Sequence, residues 1–219
     1  YSTALRGRDV GLGPGWVHSL AWEIRQEQSK LVLTTGTGFT ADCGLLLNVG
    51  DQAFRKGWAL VRAPWGFLLR AGDEFWHAFV ADEDEPSIYR LRSVRYRDRG
   101  QLHLAYVDGR LTTVTDTVGR SVALERGPDG RIARLLVPEP NGPTTVFARY
   151  AYSDAGDLVA ITDGDGFVTT HAYDDDHRLV RTTHPTGLTF HFVYDERGRG
   201  VETWGDYGGQ VDPALADEV

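Results

Sequence analysis

Several features that often decide a protein's class are missing from this chain of 219 residues. It has no methionine and only one cysteine, Cys43, so no internal disulfide can form. No run of about 18 apolar residues offers a membrane-spanning helix, and no basic-then-apolar leader opens the chain as a signal peptide would. The net charge is −8 and no run of lysine or arginine occurs, which argues against binding to nucleic acid. Because translated chains begin with methionine and this one begins with tyrosine, we expect a piece of a longer protein.

The composition is that of a globular protein with many large apolar side chains. Hydrophobic residues make up 41% of the chain, and six Trp, nine Tyr and nine Phe can supply a core. Helical periodicity is nearly absent, and a helix remains open only for residues 50–60 and for a short turn at 212–218. Elsewhere apolar and polar residues alternate between Gly, Asp and Pro, as in residues 190–194. We therefore predict an all-β chain that forms one domain or two small ones.

An internal repeat occupies the second half of the chain. Similar stretches occur at residues 124–132, 150–158, 171–179 and 192–200, with a shortened copy at 106–111. Successive copies are 21 residues apart, except for one interval of 26 residues that contains a proline-rich loop insertion at 138–143. The repeat positions are the turn residues Gly109, Gly130, Gly156, His177 and Gly198, the apolar residues Leu111, Ile132, Leu158 and Leu179, the tyrosines Tyr152, Tyr173 and Tyr194, and the second-turn residues Asp116 and Asp163.

Each repeat is predicted to form one β-hairpin. The strand that contains the tyrosine runs into Asp-x-x-Gly, where a type I turn and a glycine with positive φ reverse the chain. One hairpin alone is marginally stable, so successive antiparallel hairpins of about 21 residues should pair edge to edge in one continuous sheet. This register predicts that Tyr152, Tyr173 and Tyr194 form a ladder on one face.

The hairpin pattern gives two finer expectations. Strict alternation along the strand places Leu158 and Ala160 on one face of the sheet. Val159 and Ile161 then lie on the other face. His177 stands where the other copies have glycine, so it should adopt a positive φ at a strain of about 1 kcal/mol. Replacing His177 with glycine should therefore stabilise the protein slightly.

The pattern Tyr-x-Tyr-Asp-x-x-Gly-x-Leu, repeated about every 21 residues, resembles the YD repeat of RHS proteins. Residues 104–206 carry it, and the glycine-rich stretch at 11–19 together with residues 107–120 and 201–206 resembles the RHS N-terminal conserved region. The resemblance implies an RHS N-terminal conserved β region at 1–103, YD-repeat hairpins at 104–206, and a tail at 207–219 with a candidate short helix. It also implies that the hairpins belong to a spiralling sheet, as a fragment of an RHS-type β-shell.

The resemblance further implies a role. RHS proteins are large bacterial chains whose repeats form a hollow shell around a variable C-terminal toxin, often delivered by type VI secretion in bacterial competition. Related shells occur in insecticidal toxin complexes and in animal teneurins. The Asp-Pro-rich core motif that ends RHS shells is missing around Asp212 and Pro213, so we expect an early, non-catalytic stretch of shell wall.

The implied partners and location are those of a toxin shell. The partners would be the remainder of the shell and an enclosed toxin domain, with delivery machinery or self-association through sheet edges as further contacts. Nucleic acid, a membrane span and any cofactor are not expected. The protein would be bacterial, cytoplasmic before delivery, and then exported or secreted.

Residues that could carry chemistry have ordinary structural explanations. Cys43 lacks a neighbouring histidine in the sequence and is predicted to be a small core residue. The histidines His171, His177, His184 and His191 are six or seven residues apart, which suggests a metal site but is also explained by the repeat register. Asp163 and Asp165 resemble part of a calcium loop, although turn chemistry explains them better.

Two other functions stay open beside a structural module. One is a carbohydrate- or cell-surface-binding β module, for which an exposed aromatic platform would be needed. Its candidate residues are Trp58, Trp65, Trp76, Tyr173, Tyr194 and Trp204. The other is a hydrolase, for which Asp73 or Glu74 with a distant carboxylate could form a glycosidase pair. The acidic run at 82–85 is predicted to be a solvated loop.

Overall fold

The chain is built almost entirely of antiparallel β-strands, as the sequence predicts. The computed structural model describes residues 1–55, 57–72, 75–97, 100–138 and 142–208. These residues contain one short 3₁₀ helix, Thr3–Leu5, and eighteen strands. Within this described part of the chain, no helix has the length and hydrophobicity needed to cross a bilayer.

The strands are short and follow one another closely along the chain. They are β1 (Glu23–Gln26), β2 (Leu31–Thr34), β3 (Thr40–Asp42), β4 (Gln52–Arg55), β5 (Trp58–Ala63), β6 (Gly66–Ala71), β7 (Phe75–Ala81), β8 (Ile88–Tyr96), β9 (Gly100–Val107), β10 (Arg110–Asp116), β11 (Ser121–Arg126), β12 (Ile132–Val137), β13 (Thr145–Tyr152), β14 (Leu158–Asp163), β15 (Val168–Tyr173), β16 (Leu179–Thr183), β17 (Leu188–Tyr194) and β18 (Gly200–Tyr207). The helix left open for residues 50–60 is wrong, because β4 and β5 occupy that segment. The helix left open for residues 212–218 lies outside the described residues.

The chain divides into two compact units. One, which we call the repeat unit, comprises Tyr1–Trp16, Glu125–Leu136 and the chain from Thr144 onward. The other, which we call the core unit, is built mainly from Val17–Leu124. The first sixteen residues therefore pack with hairpins that lie more than a hundred residues later in the sequence.

Strand β8 joins two parts of the sheet in the core unit. The strands from β4 to β10 pair antiparallel with their sequence neighbours, and β11 pairs with β10. One edge of β8 pairs with β7 over its length. Its other edge pairs with β1 at Ile88–Arg90 and with β9 from Ser93 on. Strands β2 and β3 extend from β1, so β8 connects the two groups of strands.

The hydrophobic core of the core unit consists of inward-facing residues of these strands. Its fully buried members include Phe67, Phe79, Leu60, Leu69 and Leu91. Removing such a side chain from water contributes about 1.5–3 kcal/mol, so this cluster is the main source of stability in the unit.

The repeat unit contains a six-stranded antiparallel meander, β13 to β18, in which each strand pairs with the next. In the pairs β13–β14, β15–β16 and β17–β18, the register shifts by one residue at a β-bulge. In β14, Leu158 faces Tyr152 and Ala160 faces Ala151, so Val159 is the extra residue.

This bulge overturns the strict alternation predicted for β14. Ile161 is opposite Tyr150, on the same strand face as Tyr152, so Leu158 shares a face with Ile161. Ala160 lies on the opposite face from Leu158. The prediction was wrong because an extra residue in a strand interrupts the period of two, and no residue type in the sequence marks the place.

Candidate functional site

The predicted hairpin turn recurs with the same backbone bonds in successive repeats. At residues 195–199, the N–H of Gly198 donates to the carbonyl of Asp195 at 2.9 Å, and the N–H of Asp195 donates to the carbonyl of Arg199 at 2.9 Å. The same pair of bonds closes the turns at 127–131, 153–157 and 174–178. The turn residues have φ values of 81° at Gly130, 88° at Gly156, 59° at His177 and 74° at Gly198. The positive φ predicted for His177 is therefore confirmed.

The upstream copy forms a tighter turn. Asp108 and Gly109 both have positive φ, at 48° and 67°, and Val107 pairs directly with Arg110. Two central residues of positive φ form the primed turn that suits a two-residue hairpin loop. This copy is therefore shorter in the sequence because its hairpin turn is of a different, shorter type.

The second-turn aspartates stabilise their own loops. The Oδ1 atom of Asp116 accepts hydrogen bonds from the N–H groups of Val118 and Arg120, at 3.0 and 2.9 Å. Oδ1 of Asp163 accepts the equivalent bonds from Asp165 and Phe167, at 3.0 and 2.9 Å. The turn explanation for Asp163 thus has a specific geometry, in which one carboxylate oxygen accepts two backbone N–H groups of its own loop.

The first turn of a hairpin is the one that follows the tyrosine. In two repeats an aspartate there also accepts backbone N–H groups, and it forms a further hydrogen bond with an arginine side chain. Oδ1 of Asp195 accepts the N–H groups of Arg197 and Arg199, and the Arg199 Nε atom donates to Oδ2 at 2.7 Å. The backbone N–H of Arg199, followed by its side chain, lowers the pKa of Asp195 from its ordinary value. Asp174 and Arg178 repeat this arrangement one hairpin earlier.

The three repeat tyrosines form a ladder that links each hairpin to the one before it. The hydroxyl of Tyr152 donates to the carbonyl of Ile132 at 2.7 Å, that of Tyr173 to Leu158 at 2.7 Å, and that of Tyr194 to Leu179 at 2.8 Å. The strand register places all three rings on one face, which we call the tyrosine face. Burial raises the pKa of each phenol, so all three remain protonated donors.

The apolar repeat positions are the buried partners of this ladder. Leu111, Ile132, Leu158 and Leu179 are all buried, and each lies two residues after a positive-φ residue of its turn. The arginine that precedes two of them stacks on the tyrosine of the next hairpin. The guanidinium of Arg131 lies 5.7 Å from the centre of the Tyr152 ring, and that of Arg178 lies 5.6 Å from the Tyr194 ring.

Sequence reasoning missed one copy of this arrangement in the core unit. The hydroxyl of Tyr106 donates to the carbonyl of Leu91 at 2.9 Å, and Leu91 is fully buried. Arg90 precedes Leu91 and lies over the Tyr106 ring at 5.9 Å. The signal was present in the sequence, because Arg90-Leu91 lies twenty residues before Arg110-Leu111.

The first sixteen residues lie along the turns of the repeat unit. The carbonyl of Gly11 accepts the N–H of Ile132 at 2.8 Å, and Asp9 pairs with Arg131 at 3.0 Å. A Cβ on Gly13 would lie 2.6 Å from the carbonyl oxygen of Gly156, so only glycine allows this approach. Sequence reasoning assigned the glycine-rich stretch to a conserved region but did not predict where it packs.

His177 has a side-chain partner that the turn argument did not anticipate. Its Nδ1 atom lies 2.8 Å and 2.9 Å from the two carboxylate oxygens of Asp157, which is buried. The predicted gain from removing backbone strain is therefore opposed by the loss of this contact.

We now expect His177→Gly to destabilise the protein, contrary to the prediction from the turn alone. Leaving Asp157 buried without this partner costs about 1–3 kcal/mol, against a relief of strain of about 1 kcal/mol. Urea unfolding curves of the two proteins measure the difference. Gly198→His is the control and should also destabilise. It adds the same backbone strain, but the position equivalent to Asp157 is Arg178 there, so the new histidine gains no carboxylate partner. An increase in stability for His177→Gly would show that the Asp157 contact contributes nothing.

The four histidines of the sequence pattern are not brought together. His171 faces the tyrosine side, where its Nδ1 atom lies 3.1 Å from Thr182 Oγ1 and burial lowers its pKa to about 4. His191 lies on the opposite face, stacked on Trp204 at 4.8 Å, with Nε2 2.9 Å from Asp206. His184 occupies a second turn. Among the described residues, no group of three or more His, Cys, Asp or Glu has a geometry that could hold a metal.

The remaining candidates are also separated. Cys43 is buried in the core cluster, as predicted, and burial raises the pKa of its thiol. Trp58 packs against that cluster, Trp65 is exposed, and Trp76 lies 5.6 Å from the guanidinium of Arg95. In the repeat unit, Tyr173 and Tyr194 lie on the tyrosine face, whereas Trp204 is on the other face. Asp73 and Glu74 lie outside the described residues.

One acidic residue differs from its predicted environment. Asp82 is buried rather than solvated, and its carboxylate accepts hydrogen bonds from Arg90 Nε and from the N–H groups of Asp84 and Glu85. Burial alone would raise the pKa of Asp82, but these bonds outweigh it and the pKa is lowered. The first residue of the acidic run thus anchors the loop between β7 and β8.

Comparison with known proteins identifies the repeat. The family model described as RHS Repeat matches residues 152–189 and 173–203. Toxin protein Tse5 of Pseudomonas aeruginosa is 29% identical over 170 residues, which are 66% of this chain and 13% of that protein. The chain therefore corresponds to a small part of the length of this relative.

Solved structures that the chain matches include crystal structures of TcdB2-TccC3. The crystal structure of TcdB2-TccC3-Cdc42 is 14% identical, with a TM-score of 0.42 over 84% of this chain and 10% of that one. The crystal structure of TcdB2-TccC3 is 14% identical, with a TM-score of 0.43 over 84% of this chain and 11% of that one. The family match shows that residues 152–203 of this chain are RHS, or YD, repeats, and the hairpin period and the tyrosine ladder recur over the same residues.

Proposed function

We propose that this chain is a wall segment of an RHS-type shell in a bacterial polymorphic toxin. In this proposal the shell encloses a C-terminal toxin domain and helps to deliver it to competing cells, by type VI secretion, after synthesis in the cytoplasm. The ladder bond from Tyr173 to Leu158 carries the proposal, because it joins one hairpin to the one before it. A side chain used in this way builds a wall and does not face a substrate. The likeness to a protein named as a toxin supports the biological setting.

The segment itself is proposed to be non-enzymatic, with any toxin activity residing elsewhere in the parent protein. The polar residues that recur with the repeat are hydrogen-bonded to the backbone of their own or the preceding hairpin. Cys43, the one thiol, is buried with a raised pKa, which disfavours a reactive thiolate. The proposed partners are therefore the remaining shell and its enclosed domain.

We also propose the boundaries implied by the repeat. Residues 104–206 would form the first YD hairpins of the shell, and residues 1–103 the conserved region that precedes them. The packing of residues 1–16 with the repeat unit supports a close relation between the two, because the start of the proposed first region contacts the hairpins of the second.

Proteolysis of the full-length parent protein tests enclosure. We expect its C-terminal domain to resist a protease when the shell is intact. Replacing Tyr152, Tyr173 and Tyr194 together with phenylalanine should make that domain sensitive, because three bonds between hairpins are lost. Gel electrophoresis with an antibody to the C-terminus gives the cleavage rate. Tyr150→Phe, on the same strand as Tyr152 but outside the ladder, is the matched control and should leave the domain resistant.

Rapid cleavage of the C-terminal domain in the unaltered parent protein would contradict enclosure. Equal resistance in the unaltered and triple-variant proteins would show that this segment does not contribute to it.

The isolated chain is expected to associate with itself. A slice of a repeat sheet ends in strands whose outer N–H and C=O groups would pair with further repeats in the whole protein. We expect a molar mass above that of the monomer, 24.3 kDa, that increases with protein concentration. Light scattering coupled to size-exclusion chromatography measures it. A monomer at all concentrations would count against the wall-segment proposal.

A further inference from the structure

Two successive hairpins of the repeat unit depart from the repeat pattern at positions that face each other. The last residue of the first turn is Arg131, Arg178 or Arg199 in three of the four turns that share the same backbone bonds, but Asp157 in the fourth. The first-turn residue of the following hairpin is His177, where the others have glycine. Asp157 and His177 therefore replace the Arg and Gly of the pattern at the same place in the sheet.

The aromatic ring beside this exception has a different neighbour from the other ladder tyrosines. Arg131 stacks on Tyr152 and Arg178 on Tyr194. Tyr173 instead meets the N-terminal segment, residues 1–16. The Trp16 Nε1 atom donates to the Tyr173 hydroxyl at 2.7 Å, and the Tyr1 ring lies edge-on with the ring centres 6.2 Å apart.

The N-terminal segment also bonds to the altered turn. The hydroxyl of Tyr1 donates to the carbonyl of His177 at 2.7 Å and accepts the N–H of Leu179 at 3.2 Å. These two bonds satisfy backbone groups at the start of β16. Tyr1 and Trp16 are in edge contact, with ring centres 5.7 Å apart, so the two ends of the segment meet over Tyr173.

Charge explains why the two exceptions occur together. Asp157 is buried, and an isolated buried carboxylate is costly. His177 supplies the facing group, with Nδ1 2.8 Å from Asp157 Oδ1. An arginine at 157 would direct its guanidinium to the Tyr173 ring, as Arg131 and Arg178 do to the tyrosine of the next hairpin, and would occupy the place of Trp16 and Tyr1.

We propose that Asp157 and His177 are a specificity pair that selects the hairpin of Tyr173 as the docking site for the two ends of the N-terminal segment, Tyr1 and Trp16. At the equivalent position of other hairpins, Arg131 and Arg178 lie over the next tyrosine ring, the place that Tyr1 and Trp16 take at Tyr173. The pair thereby fixes one docking position among otherwise similar repeats. This inference does not depend on the enclosed toxin or on a shell.

The test restores the common pattern in the altered hairpin. The double variant Asp157→Arg with His177→Gly gives these two hairpins the residues found at the same positions of their neighbours. We expect amide hydrogen exchange at Gly11, Gly13 and Trp16 to become at least tenfold faster, since the segment loses its site. The N–H of Leu179, which Tyr1 accepts, should become faster as well. The amides of β17 and β18 should keep their protection.

A matched variant moves the same exception by one hairpin. Arg178→Asp with Gly198→His creates the pair beside Tyr194 and leaves Asp157 and His177 in place. We expect the segment of this variant to remain protected, which shows that the effect of the first variant is local. Fluorescence of Trp16, compared between each protein and its Trp16→Phe counterpart, gives an independent measure of docking.

Two results would overturn the proposal. Unchanged exchange at Gly11, Gly13 and Trp16 in the first double variant would show that Asp157 and His177 do not select the site. Loss of protection throughout β13 to β18 would show that the pair maintains the hairpin itself and does not act as a docking determinant.

Discussion

Leu91→Ala is expected to lower the free energy of unfolding by about 2–5 kcal/mol, the usual cost of truncating a buried leucine. Leu91 is fully buried in the core unit, and its carbonyl accepts the hydroxyl of Tyr106. The loss combines the transfer of apolar surface with a cavity beside the ladder. Urea titration followed by far-ultraviolet circular dichroism measures the change at the transition that reports the core unit.

Val107→Ala is the control for this truncation, because Val107 lies in the neighbouring β9 strand but is 60% exposed. We expect its effect to stay within about 0.5 kcal/mol. A similarly small effect for Leu91→Ala would mean that the side chain at this position does not contribute to stability as a buried leucine does.

Tyr173→Phe should cost about 1–3 kcal/mol, although the ring and its packing are retained. The hydroxyl serves two partners, since it donates to the carbonyl of Leu158 and accepts from Trp16 Nε1, each at 2.7 Å. Removing it leaves an acceptor and a donor unsatisfied in a half-buried place. Thermal or urea unfolding, compared with the unaltered protein, gives the cost.

Tyr194→Phe provides a graded comparison for Tyr173. Its hydroxyl donates to the carbonyl of Leu179 at 2.8 Å, and the adjacent ring contact is with Arg178 rather than with the N-terminal segment. We expect a smaller loss than at Tyr173. A larger loss at Tyr194 would show that the bond to Trp16 adds no stability.

The repeat period and the local chemistry of the turns were predictable because both depend on residues close in sequence. Glycine at a positive φ, or His177 as its tolerated substitute, marks the first turn. Asp116 and Asp163 mark the second turn, because a short carboxylate can accept N–H groups two and four residues on. The shared face of the three tyrosines then followed from the spacing.

What was not predictable depends on contacts between distant residues or on unmarked backbone irregularities. The bulge at Val159 changes which face a strand residue occupies, yet valine is an ordinary strand residue. The burial of Asp82 depends on Arg90, which lies on the adjacent strand β8. The contact of Trp16 with Tyr173 spans 157 residues, so a local pattern carries no information about it.

The spacing of the ladder bonds shows where the repeat can vary in length. Tyr173 and Tyr194 each reach back fifteen residues to their carbonyl partners, whereas Tyr152 reaches back twenty to Ile132 at the same 2.7 Å as Tyr173. Compared with the β14–β15 connection, three of the five additional residues fall in the connection between β12 and β13, and the other two lengthen β13. Lengthening a loop has a small entropic cost. The second-turn end of a hairpin can therefore accept a peptide tag or a fluorescent reporter. The first-turn end should not be altered when this protein is engineered, because tyrosine, arginine and the N-terminal segment pack closely there.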